Sequence, residues 1–292
     1  MRIFMLGATG TIGAAVAREL TAGDHRVAGL SRSRQSDAKL GRAGVEPVRG
    51  ELEEPGRWIG EALDHDAIIH AAGTFTADEG LLNARLVDAL LAAPEPGHAP
   101  IRLLFTGGCW LYGETGEEVA TEERPFDPVP AFAWMVEQSR RLLASERFST
   151  AVVHPAMVYH GEGGVFRRFL ASARAGERPE IWGTAEARWP LVHRDDLARA
   201  YRALVESPAL SGDFNVAAEA GVRVGEIARE ISGRLGAGLE PVVLETRAIV
   251  AAHGDWAVGP TLVQRLSAGK LSRLTGWSPR FTDYRKSDVF PS

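Results

Sequence analysis

The residues best suited to chemistry are three glycines, Gly7, Gly10 and Gly13, which follow an apolar segment at the start of the chain. One glycine permits a tight turn, another lets the backbone approach a phosphate, and the third lets a helix pack closely on a strand. The N–H groups and the positive dipole end of a helix N-terminus then attract the phosphate oxygens. The spacing predicts a pyrophosphate-binding loop formed by Gly7, Thr9, Gly10, Thr11, Ile12 and Gly13.

A second candidate group ends the next apolar segment, where Ser31 and Arg32 stand with Arg34 nearby. A protein that binds NAD usually carries Asp or Glu at this point, because a carboxylate binds the ribose hydroxyls. A serine hydroxyl can instead donate to a 2′-phosphate, and a guanidinium can pair with it. Ser31 and Arg32 therefore predict NADP as the cofactor, with NAD less favoured. The alternative is a loop of solvated surface arginines.

Further segments occur in the order that one enzyme superfamily shows. They are residues 50–52, 70–73, 83–91, 106–113, 154–159, 192–198 and 274–279. Together with the spacing Gly-x-x-Gly-x-x-Gly, they resemble the extended short-chain dehydrogenase/reductases, which include NAD-dependent epimerases and dehydratases. The resemblance implies further cofactor contacts by Glu51, Leu52, Ala71, Ala72, Gly73, Thr106 and Pro155.

The resemblance fails at the residues that carry the superfamily's acid–base chemistry. Its oxidoreductases use a Tyr-x-x-x-Lys pair, in which the lysine lowers the tyrosine pKa, and a Ser or Thr that binds the substrate oxygen. At the corresponding positions this chain has Phe132, Val136 and Gly108. The chain is therefore similar to atypical members, which retain the nucleotide-binding half without the usual catalytic set.

Two other side chains are candidates for proton transfer, Tyr159 and Cys109, because their segments meet the nicotinamide in relatives. The Tyr159 phenol could donate to a developing oxyanion, and the Cys109 thiol could act as an acid. The alternatives are a tyrosine that only lines a pocket and a small buried thiol. The eight histidines show no metal-ligand spacing, so we predict no metal.

The aromatic residues suggest what the substrate is. Trp110 and Trp134 fall where a polar network would otherwise bind substrate, which favours a small apolar or aromatic molecule. We expect an NADP-dependent oxidoreductase that reduces an activated C=C, C=N or C=O bond. Two alternatives stay open: a redox-inactive NADP-binding sensor, and an epimerase or dehydratase. The latter chemistry depends most on the missing tyrosine.

These residues need a scaffold that places strand ends side by side. Apolar runs alternate with amphipathic helical patterns over the first half of the chain, as in a parallel sheet covered on both faces. We predict an α/β fold: a Rossmann doubly wound parallel sheet with a smaller C-terminal substrate lobe. Residues 1–160 would form the NAD(P)-binding domain and residues 161–292 the lobe, from which strands and helices can return to the sheet.

The predicted elements follow from periodicity and turn residues. Predicted strands are 2–6, 25–30, 45–48, 67–70, 101–105, 150–154, 189–192, 213–216 and 242–244. Predicted helices are 12–21, 58–63, 81–93, 132–146, 165–175, 195–205, 224–235 and 261–274.

Composition limits the partners and the compartment. The 292 residues carry a net charge of −5, which provides no basic field for nucleic acid. No apolar run approaches the ~20 residues that span a bilayer, so we expect no membrane partner. The single cysteine is compatible with a reducing compartment, and we expect a cytoplasmic protein. A homodimer is possible, since relatives pair through the helices that correspond to residues 80–93 and 130–147.

Overall fold

The computed structural model describes residues 1–73, 76, 78–93 and 100–290. In chain order the strands are β1 (Arg2–Leu6), β2 (Arg26–Ser31), β3 (Glu46–Arg49), β4 (Ala67–His70), β5 (Ile101–Thr106), β6 (Phe148–Pro155), β7 (Met157–His160), β8 (Gly163–Gly164), β9 (Glu180–Trp182), β10 (Arg188–His193), β11 (Gly212–Val216), β12 (Glu219–Arg223) and β13 (Val242–Leu244). The helices are α1 (Thr11–Ala22), α2 (Arg34–Arg42), α3 (Ile59–Leu63), α4 (Glu79–Ala92), α5 (Ala133–Leu143), α6 (Arg167–Ala175), α7 (Arg194–Val205), α8 (Val224–Leu235), α9 (Thr246–His253) and α10 (Gly269–Thr275).

The main sheet joins seven of the described strands in the order β11-β6-β5-β4-β1-β2-β3. The five pairings from β3 to β6 are all parallel, and Ile3 of β1 lies opposite both Val27 of β2 and Ala67 of β4. The strand order reverses between β1 and β4, which is the point where open α/β sheets bind ligands. The predicted doubly wound sheet is confirmed.

The central strands are apolar because both faces of the sheet are covered. Every residue of β4 is buried, and in β1 only Arg2 is exposed. Helix α1 packs against β1 and β2 and buries Val16 and Leu20. The continuous apolar runs are therefore a consequence of two-sided burial.

The chain divides into two units that interleave along the sequence. The first unit comprises Met1–Gly107, Trp134–Val153 and Leu197–Phe214. The second comprises Gly108–Ala133, His154–Asp196 and Asn215–Ser292. Because each unit is built from three segments, no single residue separates them along the chain.

The second unit contains shorter strands than the first. One sheet has the order β12-β10-β7-β8, and β13 pairs with β9 in parallel. The Asp196 carboxylate accepts hydrogen bonds from the backbone N–H groups of Arg280 and Phe281 at 2.8–2.9 Å. A buried carboxylate thus positions a segment more than eighty residues away in sequence.

Two regions differ from the sequence prediction. Helix α2 was not predicted, although Ser33 caps it by accepting a hydrogen bond from the Ser36 N–H. The predicted helix 261–274 is wrong over its first half. The Gln264 N–H donates to the Arg188 carbonyl at 2.9 Å, so this backbone bonds to a strand and cannot continue a helix. Only Gly269–Thr275 is helical there.

Five elements of the second unit were also missing from the prediction: β7, β8, β9, β12 and α9. In the described part of the chain, no helix combines the length and apolar character needed to cross a membrane.

Candidate functional site

The phosphate loop and the end of β4 are in backbone contact. Gly7 has φ +84°, and a Cβ at this position would lie 2.5 Å from the carbonyl oxygen of Ala71 and 2.6 Å from the Ala72 nitrogen. Any side chain would both strain the left-handed backbone and collide with β4's continuation. The glycine therefore brings the two strand ends together at the point where the strand order reverses.

The rest of the loop forms the start of α1. A Cβ on Gly13 would lie 2.1 Å from the Gly7 carbonyl oxygen, so only glycine lets the helix approach the turn this closely. The Gly10 N–H donates to the Gly7 carbonyl at 2.9 Å, which closes the turn. Thr9, Gly10 and Thr11 are exposed, and Ile12 is half-buried.

The first turn of α1 contains no acidic residue. Its N–H groups have no partner within the helix, and the dipole end is positive. The predicted loop residues are thus assembled into a cradle that fits a pyrophosphate.

The residues after β4 form the floor beside this cradle. Ala71 and Ala72 are half-buried and Gly73 is exposed, and the Ala71 N–H donates to the Leu6 carbonyl at 2.9 Å. Small side chains here keep the surface open for a ligand to approach the backbone.

Thr106, at the end of β5, is committed to an internal hydrogen-bond chain. Its hydroxyl lies 2.6 Å from the His70 carbonyl oxygen and 2.6 Å from the Tyr201 hydroxyl. Since the Thr106 proton goes to the carbonyl, Tyr201 must donate to Thr106. The Thr106 side chain therefore orders the strand ends under the predicted cofactor position and has no proton left for a substrate.

His70 lies beneath the same strand ends and is buried. Burial lowers the pKa of its imidazole to about 4, although hydrogen bonding partly opposes the shift. The ring is therefore neutral at physiological pH and adds no positive charge to the cradle.

An acid that was not identified from the sequence, Asp37 of α2, lies beside the end of β2. Ser31 is only 1% exposed, and its hydroxyl donates to the Asp37 carboxylate at 2.6 Å. Arg49 of β3 forms a salt bridge with the same carboxylate. Ser31 was expected to donate to a 2′-phosphate, but its proton is already used by Asp37.

Two guanidinium groups follow Ser31 in the sequence, next to the contact between Ser31, Asp37 and Arg49. Arg32 and Arg34 are exposed, and within the described ranges neither makes a hydrogen bond or an ion pair. Asp37 could have been found from sequence only after α2 was recognised, because it lies on the first turn of that helix. Its charge is balanced by Arg49, which leaves Arg32 and Arg34 as the surplus cations.

The segment after β3 packs along the first unit's core. The Trp58 indole N–H donates to the Glu51 carbonyl at 2.8 Å, and Leu52 packs against the buried cluster. A Cβ on Gly50 would lie 2.6 Å from the Trp58 ring. The predicted adenine contacts, Glu51 and Leu52, are therefore held in place by Trp58.

The remaining predicted residues, Cys109, Pro155 and Tyr159, belong to the second unit. Cys109 is 5% exposed, and burial raises the pKa of its thiol to about 12. The Gln264 side chain donates to the Cys109 carbonyl at 2.8 Å. Pro155 is buried at the end of β6.

Tyr159 is also buried, with no exposed surface. Its ring stacks on Phe166 with 4.9 Å between ring centroids and meets the His193 ring edge-on at 5.3 Å. Burial raises the Tyr159 pKa far above its usual range, and the carboxylates of Glu219 and Asp196 add to the shift. Both predicted proton donors therefore keep their protons at neutral pH and lie inside their unit.

The positions that correspond to the superfamily's catalytic pair hold apolar side chains. Phe132 is 5% exposed and lies 5.3 Å from the Trp110 ring, and Val136 of α5 is buried. Neither can transfer a proton. Over residues 1–73, 76, 78–93 and 100–290, no three His, Cys, Asp or Glu residues are grouped as metal ligands.

The sequence matches the model of the NAD-dependent epimerase/dehydratase family over residues 3–217. An uncharacterized protein of Schizosaccharomyces pombe is 30% identical over 244 residues, which cover 80% of this chain and 81% of that protein. An uncharacterized protein of Saccharomyces cerevisiae is 27% identical over 242 residues, 79% of each chain.

Solved structures share the fold at lower identity. Human epimerase family protein SDR39U1, determined with NADPH, is 20% identical and aligns with a TM-score of 0.78 over 99% of this chain and 98% of that chain. The UDP-glucose 4-epimerase of Thermus thermophilus, determined with NAD, is 20% identical, with a TM-score of 0.80 over 99% and 97%.

Proposed function

Because the chain belongs to the NAD-dependent epimerase/dehydratase family, we propose that it is an NADP(H)-binding oxidoreductase. Its reaction would be the reduction of an activated C=C, C=N or C=O bond in a small apolar or aromatic substrate. The observation that carries the proposal is the contact between Gly7 and the backbone of Ala71 and Ala72. That contact supports the proposal because it joins the glycine loop to the switch point of the sheet, where open α/β proteins bind dinucleotides.

Residues of the first unit would bind the pyrophosphate, the adenine and the 2′-phosphate of the cofactor. The N-terminus of α1 would bind the pyrophosphate, and the segment from Glu51 to Leu52 would lie along the adenine. The exposed guanidinium groups of Arg32 and Arg34 favour a cofactor with a 2′-phosphate, since a charge-assisted pair stabilises the phosphate. NADPH, when bound, supplies a hydride.

Reduction suits the chain's own residues better than epimerisation does. Oxidising a substrate alcohol needs a base to remove the hydroxyl proton. Burial keeps the pKa of Cys109 near 12 and raises the pKa of Tyr159, so neither group is a base at neutral pH. Hydride addition to an activated double bond asks only for one proton, which water can deliver. Tyr159 and Cys109 stay predicted donors, and their burial makes solvent the simpler source.

The surroundings of Trp110 support an apolar or aromatic substrate. Trp110 and Phe132 contact each other in the second unit, and a Cβ on Gly259 would lie 2.4 Å from the Trp110 ring. Phe132 therefore occupies the position of the superfamily's catalytic tyrosine, and Trp110 lies where a polar network would otherwise bind substrate.

The test is a screen of NADPH oxidation with activated alkenes, imines and aldehydes, run beside calorimetric titration of NADPH. We expect binding together with oxidation by at least one substrate class. Tight NADPH binding without oxidation across the panel would overturn the reductase and favour a redox-inactive sensor. Conversion of UDP-glucose with NAD bound, and no net NADPH consumption, would favour an epimerase.

A redox-inactive sensor is the second candidate because the positions of the usual Tyr and Lys are filled by buried Phe132 and Val136. It would bind NADPH through the same cradle. The two candidates differ only in turnover, so the screen separates them.

A further inference from the structure

A guanidinium group with an unsatisfied buried donor lies in the second unit. Arg168, in the first turn of α6, makes no hydrogen bond or salt bridge with another residue of the described chain, and its Nη1 is shielded from solvent. Burial lowers the pKa of Arg168 to about 10, so the group is still charged at physiological pH. The face of the Trp182 ring and the charge of Glu180 stabilise the cation, but neither gives the shielded Nη1 a hydrogen-bond acceptor. An unmet buried donor is costly, which favours the binding of an acceptor there.

A second unsatisfied donor lies beside it. Trp182 of β9 is 5% exposed, and its indole N–H is buried with no acceptor. The Arg168 guanidinium carbon is 3.6 Å from the Trp182 ring centroid. The two buried donors lie on neighbouring side chains and suit the two oxygens of one carboxylate.

The walls around these donors are apolar and aromatic. The Trp182 ring stacks on His253 with 4.7 Å between centroids and lies 5.8 Å from the ring of Trp256. Ile249 and Ala257 are buried in the same cluster. His253 is exposed and Trp256 is half-buried, so the cluster reaches the surface of the unit. Such walls suit a flat hydrophobic group.

We propose that Arg168 and Trp182 form a binding site for a small aromatic carboxylate. The carboxylate would accept hydrogen bonds from the Arg168 guanidinium and the Trp182 indole, and its ring would pack in the aromatic cluster. The binding site itself does not depend on the proposed function. Only the idea that the carboxylate belongs to the substrate rests on that function.

One carboxylate of the chain itself is close enough to compete. Glu180 raises the Arg168 pKa through its charge, and it precedes Trp182 by two residues on β9. Glu180 is exposed and forms no hydrogen bond or salt bridge with the described residues. Removing its charge should strengthen the binding of an external carboxylate by a few-fold.

The experiment follows the tryptophan indole N–H resonances of ¹⁵N-labelled full-length protein during titration with benzoate at constant ionic strength. Benzoate should shift one indole resonance, and that resonance should be missing from Trp182→Phe. Neutral benzamide should leave it unmoved. The measurement needs neither cofactor nor turnover. A negative redox screen with an intact benzoate response would refute only the proposed function.

The variants separate the two donors. Arg168→Gln should raise the benzoate Kd about tenfold or more, since a hydrogen bond to a charged group is lost. Arg174→Gln, on the same helix but exposed, is the matched control and should change it less than twofold. Glu180→Gln should lower it.

Several outcomes would overturn the site. They are no indole shift up to the solubility limit of benzoate, an equal shift with benzamide, and an equal shift with inorganic phosphate. An unchanged Kd in Arg168→Gln, or weaker binding in Glu180→Gln, would also refute it. If Arg168→Gln fails to fold, the three ligands on the wild-type protein still decide.

Discussion

The two units are stabilised in different ways. The first is joined by five parallel strand pairings, and its glycines bring backbone segments into direct contact. In the second, a buried and a half-buried carboxylate bind backbone N–H groups far away in sequence. Asp196 binds Arg280 and Phe281, and Glu219 accepts from the Tyr284 N–H at 2.8 Å. The first unit should therefore be most sensitive to added backbone volume, and the second to the loss of a carboxylate.

The largest loss of stability is expected at Gly13, where backbone atoms of the first unit pack too closely for a side chain. In Gly13→Ala the new Cβ would lie 2.1 Å from the Gly7 carbonyl oxygen, and a backbone atom cannot move aside cheaply. We expect a loss of about 3 kcal/mol or more and no measurable NADPH binding. Gly41→Ala is the matched control: it is also helical, but its Cβ would meet nothing within 4 Å. It should gain up to ~1 kcal/mol. Equal stability of the two variants, measured by urea unfolding, would contradict this reading of the loop.

The second unit should lose nearly as much when one carboxylate is removed. Asp196→Ala leaves the N–H groups of Arg280 and Phe281 without their acceptor, and hydrogen bonds to a charged group contribute ~1.5–3 kcal/mol each. We expect a loss of about 3 kcal/mol and faster hydrogen exchange at residues 280 and 281. Asp195→Ala, at the exposed neighbour paired with Arg194, should cost less than ~1 kcal/mol. Unchanged exchange at residue 281 would show that Asp196 does not hold this segment.

Two titratable groups, one in each unit, should respond to acid in opposite directions. Burial depresses the His70 pKa to about 4, so the native state binds fewer protons than the unfolded chain between pH 6.5 and pH 4. Stability should fall as pH falls through this window, by ~2 kcal/mol between pH 7.5 and pH 5 for a shift of this size. His70→Gln should flatten the curve, whereas His253→Gln, at an exposed site, should not.

Glu219 supplies the contrast in the second unit. Burial raises the pKa of its carboxyl to about 7, so its contribution is present at low pH and lost as pH rises from 4.5 to 7. As the pH falls, the free energy of unfolding should therefore decrease more steeply in Glu219→Gln than in the wild type, and less steeply in His70→Gln. Urea unfolding at several pH values measures both slopes, and a His70→Gln curve as steep as the wild type would refute the His70 assignment.

The preference for NADP over NAD depends on an exposed charge, so we expect a smaller free-energy effect here than in the stability predictions above. Arg32→Glu replaces an exposed cation with a carboxylate that repels a 2′-phosphate, so the preference for NADP over NAD should drop about tenfold or more. Arg26→Glu makes the same charge change at the opposite end of β2 and should leave the ratio unchanged. Calorimetric titration with both nucleotides measures the ratio. Equal affinities in the wild type, or the same ratio in Arg32→Glu, would refute NADP preference.

The contrast between the units also explains what sequence could predict. In the first unit, the strands predicted at residues 2–6 and 67–70 match β1 and β4 at both ends, because two-sided burial leaves a local apolar signature. The glycines of the phosphate loop could also be predicted locally, because the backbone conformation and the close packing at those positions require glycine itself.

The features that the sequence did not predict depend on contacts between residues that are distant in the chain, and such contacts leave no local sequence pattern. Residues 261–274 have a helical pattern, but Gln264 bonds to Arg188, far away in sequence, and the first half is not helical. The acid beside Ser31 was missed because Asp37 lies six residues later, on a helix that the pattern did not predict. Burial of Tyr159 and Cys109 also depends on tertiary packing, so sequence alone left their roles open.

The smallest effect is expected at Ser31, where sequence and structure assign the hydroxyl differently. From sequence it would donate to a 2′-phosphate, and its loss would weaken NADP binding by tenfold or more. In the structure it is 1% exposed and donates to Asp37 at 2.6 Å, so a phosphate would gain nothing from it. Ser31→Ala should therefore change NADP affinity by less than about threefold. Ser33→Ala, which removes the cap of α2, is the control: it should cost ~1 kcal/mol of stability and leave the NADP-to-NAD ratio unchanged. If Ser31→Ala weakens NADP tenfold while NAD binding is unaltered, the hydroxyl must leave Asp37 for the phosphate.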